Sequence, residues 1–424
     1  MQLSNKKPNV AKLLTLATCS LLGTAPDAIA AEDTNQWRFD TALMYYGESE
    51  RVTAVEGIIA ASKEFSDQEF LNLKLTLDTL TGASANGAVA QPNVQTFTRP
   101  SGRGSYDIEA KDTPLDDTFR DSRVQVNAQW SQPLAENYLG SVGAYVSSEH
   151  DYFSLGFNAN IAREFYNKNT TLSFGIAAAQ DQISPEGGLP TPFSEMLTVQ
   201  DGNANGLNRL GADDDKTTVD LLFGLTQVIN RKMIMQFNYS YSQVDGYQTD
   251  PYKIVSVVDN NGYALRQLYE SRPDSRNKNS VFWQTKYHLT NSVIDFSYRY
   301  LWDDWDVKSH TFDVRYHIPL EGAYIEPHVR YYQQQAAEFY QPFLLDGEPS
   351  PENISADYRV GEMNGLTLGV KYAMELEGDS ELAFRLEFFQ QTPTNPGFET
   401  PGVLADVELF ESVSAVVAQI SYSF

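Results

Sequence analysis

Between Leu71 and Asp78 the chain alternates without a break: Leu71, Leu73, Leu75 and Leu77 are interleaved with Asn72, Lys74, Thr76 and Asp78. Successive side chains of a strand point to opposite faces, so this segment has one face of leucine and one of polar groups only if it is extended. The same period recurs along the chain. Its anchors are Trp37/Phe39/Leu43/Tyr45, a weaker run from Val52 to Lys63, the leucine segment itself, Val124/Val126/Ala128/Trp130, Val142/Ala144/Val146, Leu155/Phe157/Ala159/Ile161, Leu172/Phe174/Ile176 and Val219/Leu221/Phe223/Leu225. It continues through Met233/Met235/Phe237/Tyr239/Tyr241, Val281/Trp283/Tyr287, Ile294/Phe296/Tyr298/Tyr300, Phe312/Val314/Tyr316/Ile318, Ile325/Val329/Tyr331, Leu366/Leu368/Val370/Tyr372, Leu382/Phe384/Leu386/Phe388 and Val416/Ala418/Ile420/Tyr422/Phe424. Sixteen amphipathic strands either wrap a soluble core or turn their apolar faces outward to lipid.

The connections decide between these. Those near 66–69, 132–137, 164–169, 229–232, 290–291, 319–323 and 375–380 are short, whereas the long ones, about 81–120, 181–216, 244–277, 333–363 and 391–411, all fall at the opposite end. Three connections at that end, near 48–50, 147–151 and 301–309, are short as well. A soluble sandwich has no reason to sort its loops in this way. An outer-membrane barrel with short periplasmic turns and long outer loops does, and its even strand number leaves both termini in the periplasm. The expected fold is therefore all-β: a single antiparallel transmembrane barrel of about sixteen strands over residues 31–424.

Residues 1–30 read as a secretory signal peptide. Lys6, Lys7 and Lys12 precede the apolar stretch Leu13 to Leu22, and Ala28-Ile29-Ala30 supplies a small-x-small cleavage site that leaves Ala31 first. Cleavage removes Cys19, the single cysteine, and with it any disulfide, thiolate metal site or CxxC redox centre. Cys19 sits inside the apolar stretch, a poor position for a lipidated cysteine. At the other end Ile420, Tyr422 and the final Phe424 alternate with polar residues, which resembles the signal by which the barrel-assembly machinery recognises its clients. A formal charge of −25 makes nucleic acid an unsuitable partner, since binding it needs clustered Lys and Arg.

If the apolar faces meet lipid, the alternate residues line the lumen, and their cross-strand chemistry must be self-consistent. A hairpin centred on 290–291 sets Lys286 opposite Asp295. One centred on 321–322 sets Asp313 opposite Arg330, Arg315 opposite His328 and His317 opposite Glu326. Opposed charges of unlike sign are favourable. Lys371, Arg385 and Glu387 continue the charged wall. These residues read either as a solvated wall that stiffens the barrel or as a selectivity row in a channel. His288, His317 and His328 fall near the periplasmic ends of their strands, where convergence on a metal would require geometry that spacing does not supply. No metal or cofactor is expected.

Two loop motifs carry weaker signals. Asp201 to Gly206 matches the start of a calcium loop, but Ala212 occupies its twelfth position and the residues serve a turn equally well. Thr81 to Gly87 reads as a small-residue turn by which the chain leaves the barrel. Ser309-His310 and Ser147-Ser148-Glu149-His150 lie in short outer connections; neighbours in a strand face opposite sides, so adjacency argues against a catalytic dyad and the chain is not expected to be an enzyme.

Three groups of residues resemble a known family: Leu77 to Gly87; Gly224 to Asn230 with Gly246 to Lys253; and Tyr298-Arg299-Tyr300 with Asp303-Asp304-Trp305 and Ser309-His310-Thr311, near Arg272-Pro273-Asp274 and Arg330-Tyr331-Tyr332. They are similar to a family of exported Gram-negative proteins that carries a domain-of-unknown-function label and is regarded as outer-membrane barrels. The resemblance runs from about Trp37 to Phe424. It implies genes encoded beside a small lipoprotein, a thioredoxin-like protein and an FMN-transferring enzyme, and so a role near extracytoplasmic redox chemistry. The combined expectation is an integral outer-membrane barrel acting as a porin-like channel for small solutes or ions. The alternative is a plugged barrel serving as a scaffold for a periplasmic redox partner, with a barrel hydrolase a third reading. Expected partners are outer-membrane lipid, the assembly machinery, small solutes or redox partners and, by analogy of fold, further copies of the chain.

Overall fold

A computed structural model describes residues 36–66, 68–196, 208–378 and 380–424. The signal-peptide reading and the Asp201 motif lie outside them. Sixteen antiparallel strands close into one barrel. They are β1 (Trp37–Glu48), β2 (Val52–Ser66), β3 (Glu69–Ala85), β4 (Leu115–Ala135), β5 (Tyr138–Ser148), β6 (Tyr152–Phe165), β7 (Thr170–Ile183) and β8 (Asp214–Asn230). The second half comprises β9 (Met233–Gly246), β10 (Ser275–His288), β11 (Val293–Asp303), β12 (Lys308–Leu320), β13 (Ala323–Gln334), β14 (Met363–Glu375), β15 (Glu381–Pro393) and β16 (Val413–Ser423). Each strand contains one of the sixteen alternating segments. Each pairs with its sequence neighbour, and the seam joins β1 to β16 with Thr41 opposite Tyr422 and Leu43 opposite Ile420. Backbone bonds in both directions between Phe39 and Phe424 (2.8 and 2.9 Å) finish the seam. The Phe424 ring stacks on Phe39 at 5.5 Å and on Tyr422 at 5.2 Å.

The apolar set of each strand faces outward. Leu43, Ile59, Leu77, Val126, Phe157, Phe223, Leu368 and Leu386 are all exposed to the surroundings of the barrel, which in water would be untenable and in hydrocarbon is the favourable arrangement. Closure leaves no strand edge with unpaired backbone groups. Replacing Leu73 by Arg, near the middle of the crossing part of β3, should therefore cost about 2–4 kcal/mol of folding free energy in lipid vesicles. Urea unfolding of the membrane-inserted protein measures it, and a neutral substitution there would contradict the outward assignment.

Two local expectations are corrected. Thr81 to Ala85 is not a turn: β3 runs through Ala85. The glycine serves a bulge instead. Gly82 has φ +136°, the register shifts between Gly82 and Ser84, and a Cβ would lie 2.2 Å from the Arg51 carbonyl oxygen, so a side chain here would collide with β2. Ser309 and His310 likewise belong to β12 rather than to a connection, and Ser147 and Ser148 to β5.

The largest fully buried apolar side chains, Phe97, Ile354, Leu404, Val255, Val257 and Val258, lie not in the wall but in the long outer loops. Segments 86–114, 184–196, 208–213, 247–274, 335–362 and 394–412 fold together at that end. A three-stranded sheet sets Ile254–Val258 between Ala264–Tyr269, antiparallel, and Phe343–Leu345, parallel. Three apolar clusters include its residues, one of them joining Val89, Val258, Phe343 and Leu404, and a fourth joins Trp305, Val307, Phe339, Tyr340 and Val360. The loops thus form a cap with a core of its own.

Candidate functional site

The residues that alternate with the lipid-facing set form the inner wall, which divides by chemistry. Over β4 to β9 buried amides and hydroxyls such as Asn127, Gln129, Ser141, Gln236 and Asn238 are interspersed with a few charges, among them Arg123 and the Lys216–Asp181 pair at 3.4 Å. From β10 to β15 it is ionic. Lys286 and Asp295 are direct cross-strand partners, Nζ to Oδ2 3.4 Å. Gln284 donates to both Asp295 oxygens at 2.9 Å. Arg315 lies opposite Asp295 on one side and opposite His328 on the other. The hairpin register expected from the sequence is the observed one, with Asp313 opposite Arg330.

The contacts nevertheless run diagonally. Asp313 accepts from His328 Nε2 at 2.8 Å and lies 3.4 Å from Arg315 Nε, while His328 Nδ1 meets Glu387 Oε1 at 3.0 Å. A short imidazole between two carboxylates bridges neighbours that longer side chains overreach. Arg385 approaches Glu387 at 4.0 Å. Lys371 sits opposite both Glu326 and Arg385, and its Nζ turns to Tyr324 Oη at 2.6 Å and Glu381 at 3.5 Å. His317 faces Glu326 at 3.8 Å, and its ring packs tilted against Tyr324 at 4.5 Å. His288 is the last residue of β10, its backbone N–H donating to Lys232. The three histidines do not converge, and no group of three or more His, Cys, Asp or Glu among the described residues is placed to hold a metal. His310, on the outer face, is engaged with Tyr298 Oη at 2.8 Å rather than with Ser309.

One lumen cluster escaped the sequence reading. Glu56, Asp78 and Arg123 are in direct register across β2, β3 and β4. Two adjacent carboxylates would repel each other, and Arg123 relieves this by reaching Asp78 at 2.6 Å, Glu56 at 3.6 Å and Glu149, in the following outer connection, at 4.0 Å. The tight turn between β2 and β3 sets Glu56 opposite Asp78, but β3 and β4 are joined by the long segment 86–114, so no turn fixes Arg123 beside them in the sequence.

A second ionic network holds the cap together. Glu270 has no exposed surface; its Oε1 lies 2.7 Å from Arg272 Nε, a charge contact rather than an aligned hydrogen bond, and it accepts from the Ser355 hydroxyl and from the Asp250 N–H at 2.8 Å. Arg272 reaches across to Asp357 at 2.8 Å, and Arg359 joins Asp357 to Asp250. Segment 247–274 is thereby bolted to segment 335–362. Lys253, also buried, ties the same segment to Ser84 and the Ala85 carbonyl at the top of β3, and Tyr252 donates to Asp151 beside β6. Between cap and wall lies a polar chamber of about 340 Å³ reached by Arg99, Arg120, Asp121, Asp151 and Lys253.

Comparison with known proteins returns a family. The description "Protein of unknown function (DUF3570)" matches residues 11–424. No curated protein matches in sequence. Among solved structures, a bacterial polysaccharide outer membrane secretin aligns with TM-score 0.45 and 8% identity over 93% of this chain and 100% of its own. The FrpB iron transporter from Neisseria meningitidis gives 0.43 and 11% over 93% and 82%. The siderophore receptor PirA from Acinetobacter baumannii gives 0.42 and 8% over 87% of this chain and 57% of the receptor, so this chain spans little more than half the receptor's length.

Proposed function

The chain belongs to the family described as Protein of unknown function (DUF3570), and from that premise we propose that it serves in the outer membrane as a porin-like channel for small polar solutes or ions. The observation that supports this most is the accessibility of the ionic arc. The Lys286 side chain is 56% exposed and that of Arg315 45%, inside a ring of sixteen strands. Charges held at that exposure need water around them, and a barrel of this strand number leaves an aqueous lumen unless it is filled. Cations Lys286, Arg315, Arg330, Lys371 and Arg385 would then set ion preference while Asp295, Asp313, Glu326, Glu387 and the histidines 317 and 328 hold them in place.

The cap favours a second reading, a closed barrel acting as a scaffold for periplasmic partners, because five packed loops narrow the outer mouth. In either role export would proceed by cleavage after Ala30, Ile420, Tyr422 and Phe424 would present the assembly signal, and no bond chemistry is assigned to the chain. Planar-bilayer recording of the purified mature protein tests the channel. Stepwise conductance is expected, with anion preference turning toward cations severalfold when Arg315→Glu and Arg330→Glu are combined. Silence from a folded, heat-modifiable barrel would reject the channel and leave the scaffold.

A further inference from the structure

On the outer wall, one line of cross-strand partners is unlike the rest. Tyr138, Arg163, Leu172, Leu225, Phe237, Trp283, Tyr298 and Phe312 are successive direct partners from β5 to β12. The row climbs. Arg163 is two residues from the periplasmic end of β6, Tyr298 five from that of β11 and Phe312 eight from that of β12. With the next row, Ile161, Phe174, Phe223, Tyr239 and Val281, it borders an apolar cavity of about 760 Å³ in the lipid-facing surface.

Its dimensions fit one leaflet. Five strand spacings of about 4.8 Å separate Arg163 from Tyr298, roughly 24 Å along the row, and strands inclined about 45° turn that into a rise of roughly 17 Å, against about 15 Å for half the hydrocarbon thickness. At the foot of the row Arg163 is exposed, its guanidinium resting over the rings of Tyr138 at 5.0 Å and Phe165 at 4.5 Å. That stacking aims the cation without neutralising it. The neighbouring turn adds Arg231 and Lys232, both exposed, and the end of β8 that leads into it is joined to the β6–β7 turn through the Val228 N–H and the Asn169 carbonyl. A basic rim is conspicuous on a chain of formal charge −25.

We propose that this row is a binding site for one anionic phospholipid of the periplasmic leaflet, with its phosphate against Arg163 and an acyl chain lying along the aromatic groove toward Tyr298. The rim supplies the charge that an anionic headgroup complements, and an arginine fork suits phosphate oxygens. The site is on the outside of the wall and does not depend on what passes through the lumen.

Trp283 reports on it directly. In phosphatidylcholine vesicles containing a minor fraction of phosphatidylglycerol brominated on its acyl chains, the Trp283 component is the fluorescence difference between the wild-type chain and Trp283→Phe. Its quenching should correspond to a local enrichment of roughly fivefold over the bulk lipid fraction, as about 1 kcal/mol per cation implies. Brominated phosphatidylcholine at the same fraction should quench only in proportion to its amount. Arg163→Gln should return the first case to the second, and Arg163→Lys should retain much of the enrichment. Quenching that follows the bulk fraction in the wild type, or an enrichment that survives Arg163→Gln, would overturn the proposal.

Discussion

Arg272→Ala is expected to open the cap while leaving the barrel standing. Truncation leaves Glu270 and Asp357, neither with exposed surface, facing each other across the place where the guanidinium lay. Removing one member of such a buried set costs about 3–5 kcal/mol, because the remaining charges lose their partner without regaining water. The loss falls on the contact between segments 247–274 and 335–362, which local opening can relieve without unfolding the strands. Limited proteolysis of the inserted protein should cut those segments at least a hundredfold faster than in the wild type, with the wall still heat-modifiable. Arg272→Lys should lie between, since an ammonium cannot reach two carboxylates in the fork geometry. Equal protease resistance of Arg272→Ala and wild type would show that the network does not hold the loops.

The same network makes the cap sensitive to pH in a definite direction. Burial pushes the Glu270 carboxyl up to about 7; Arg272 opposes this and Asp250 and Asp357 add to it, while Ser355, Lys253 and Arg359 complete its surroundings. Above its ordinary value near 4.5 the open loop holds Glu270 ionised, whereas the closed cap still binds the proton up to about pH 7. The closed form therefore binds more protons through that window, and its stability falls as pH rises, by about 3 kcal/mol in all. Asp357 behaves oppositely: burial alone would raise it, but Arg359, Lys253 and Arg272 hold it well below the usual carboxylate range. Its contribution is lost only as pH falls below that of an ordinary carboxylate. Protection of cap amides from hydrogen exchange, corrected for intrinsic rate, should thus be greatest near pH 5 and fall about a hundredfold by pH 8. Glu270→Gln should flatten that slope, and protection that rises from pH 5 to 8 in the wild type would refute it. At pH 5 the Arg272→Ala penalty should shrink as well, since a neutral Glu270 needs no cation.

The wall was legible in the sequence because its physics is local and repeated. Every lipid-facing position recurs at period two, so each strand declared itself, and turns of two to five residues fixed the register of Lys286 with Asp295 and of Asp313 with Arg330 to the residue. The choice of contact was less legible. His328 prefers the diagonal Asp313 to its direct partner Arg315 because cross-strand register gives Cα neighbours, while side-chain length decides which atoms meet. Most of the cap has the sequence pattern of loop, although one segment carries a signal for its core. Ile254-Val255-Ser256-Val257-Val258 is an apolar run broken only by Ser256 and bounded by turn residues, the mark of a strand buried on both faces, and all five residues are buried. Its partners lie near positions 89, 268, 344 and 404, too far apart in the chain for any periodicity to link them.

That scatter has a consequence for how the molecule comes into being. Val89 and Leu404, members of one cluster, are separated by most of the polypeptide. In an unfastened chain, bringing them together carries the full entropic penalty of closing that loop; once β1 has met β16, their anchor points are already neighbours on a rim and little freedom is left to lose. The part of the cap that joins Val89 to Leu404 is thus a record of completed biogenesis, since those two pieces become neighbours cheaply only when the last pair of strands has joined.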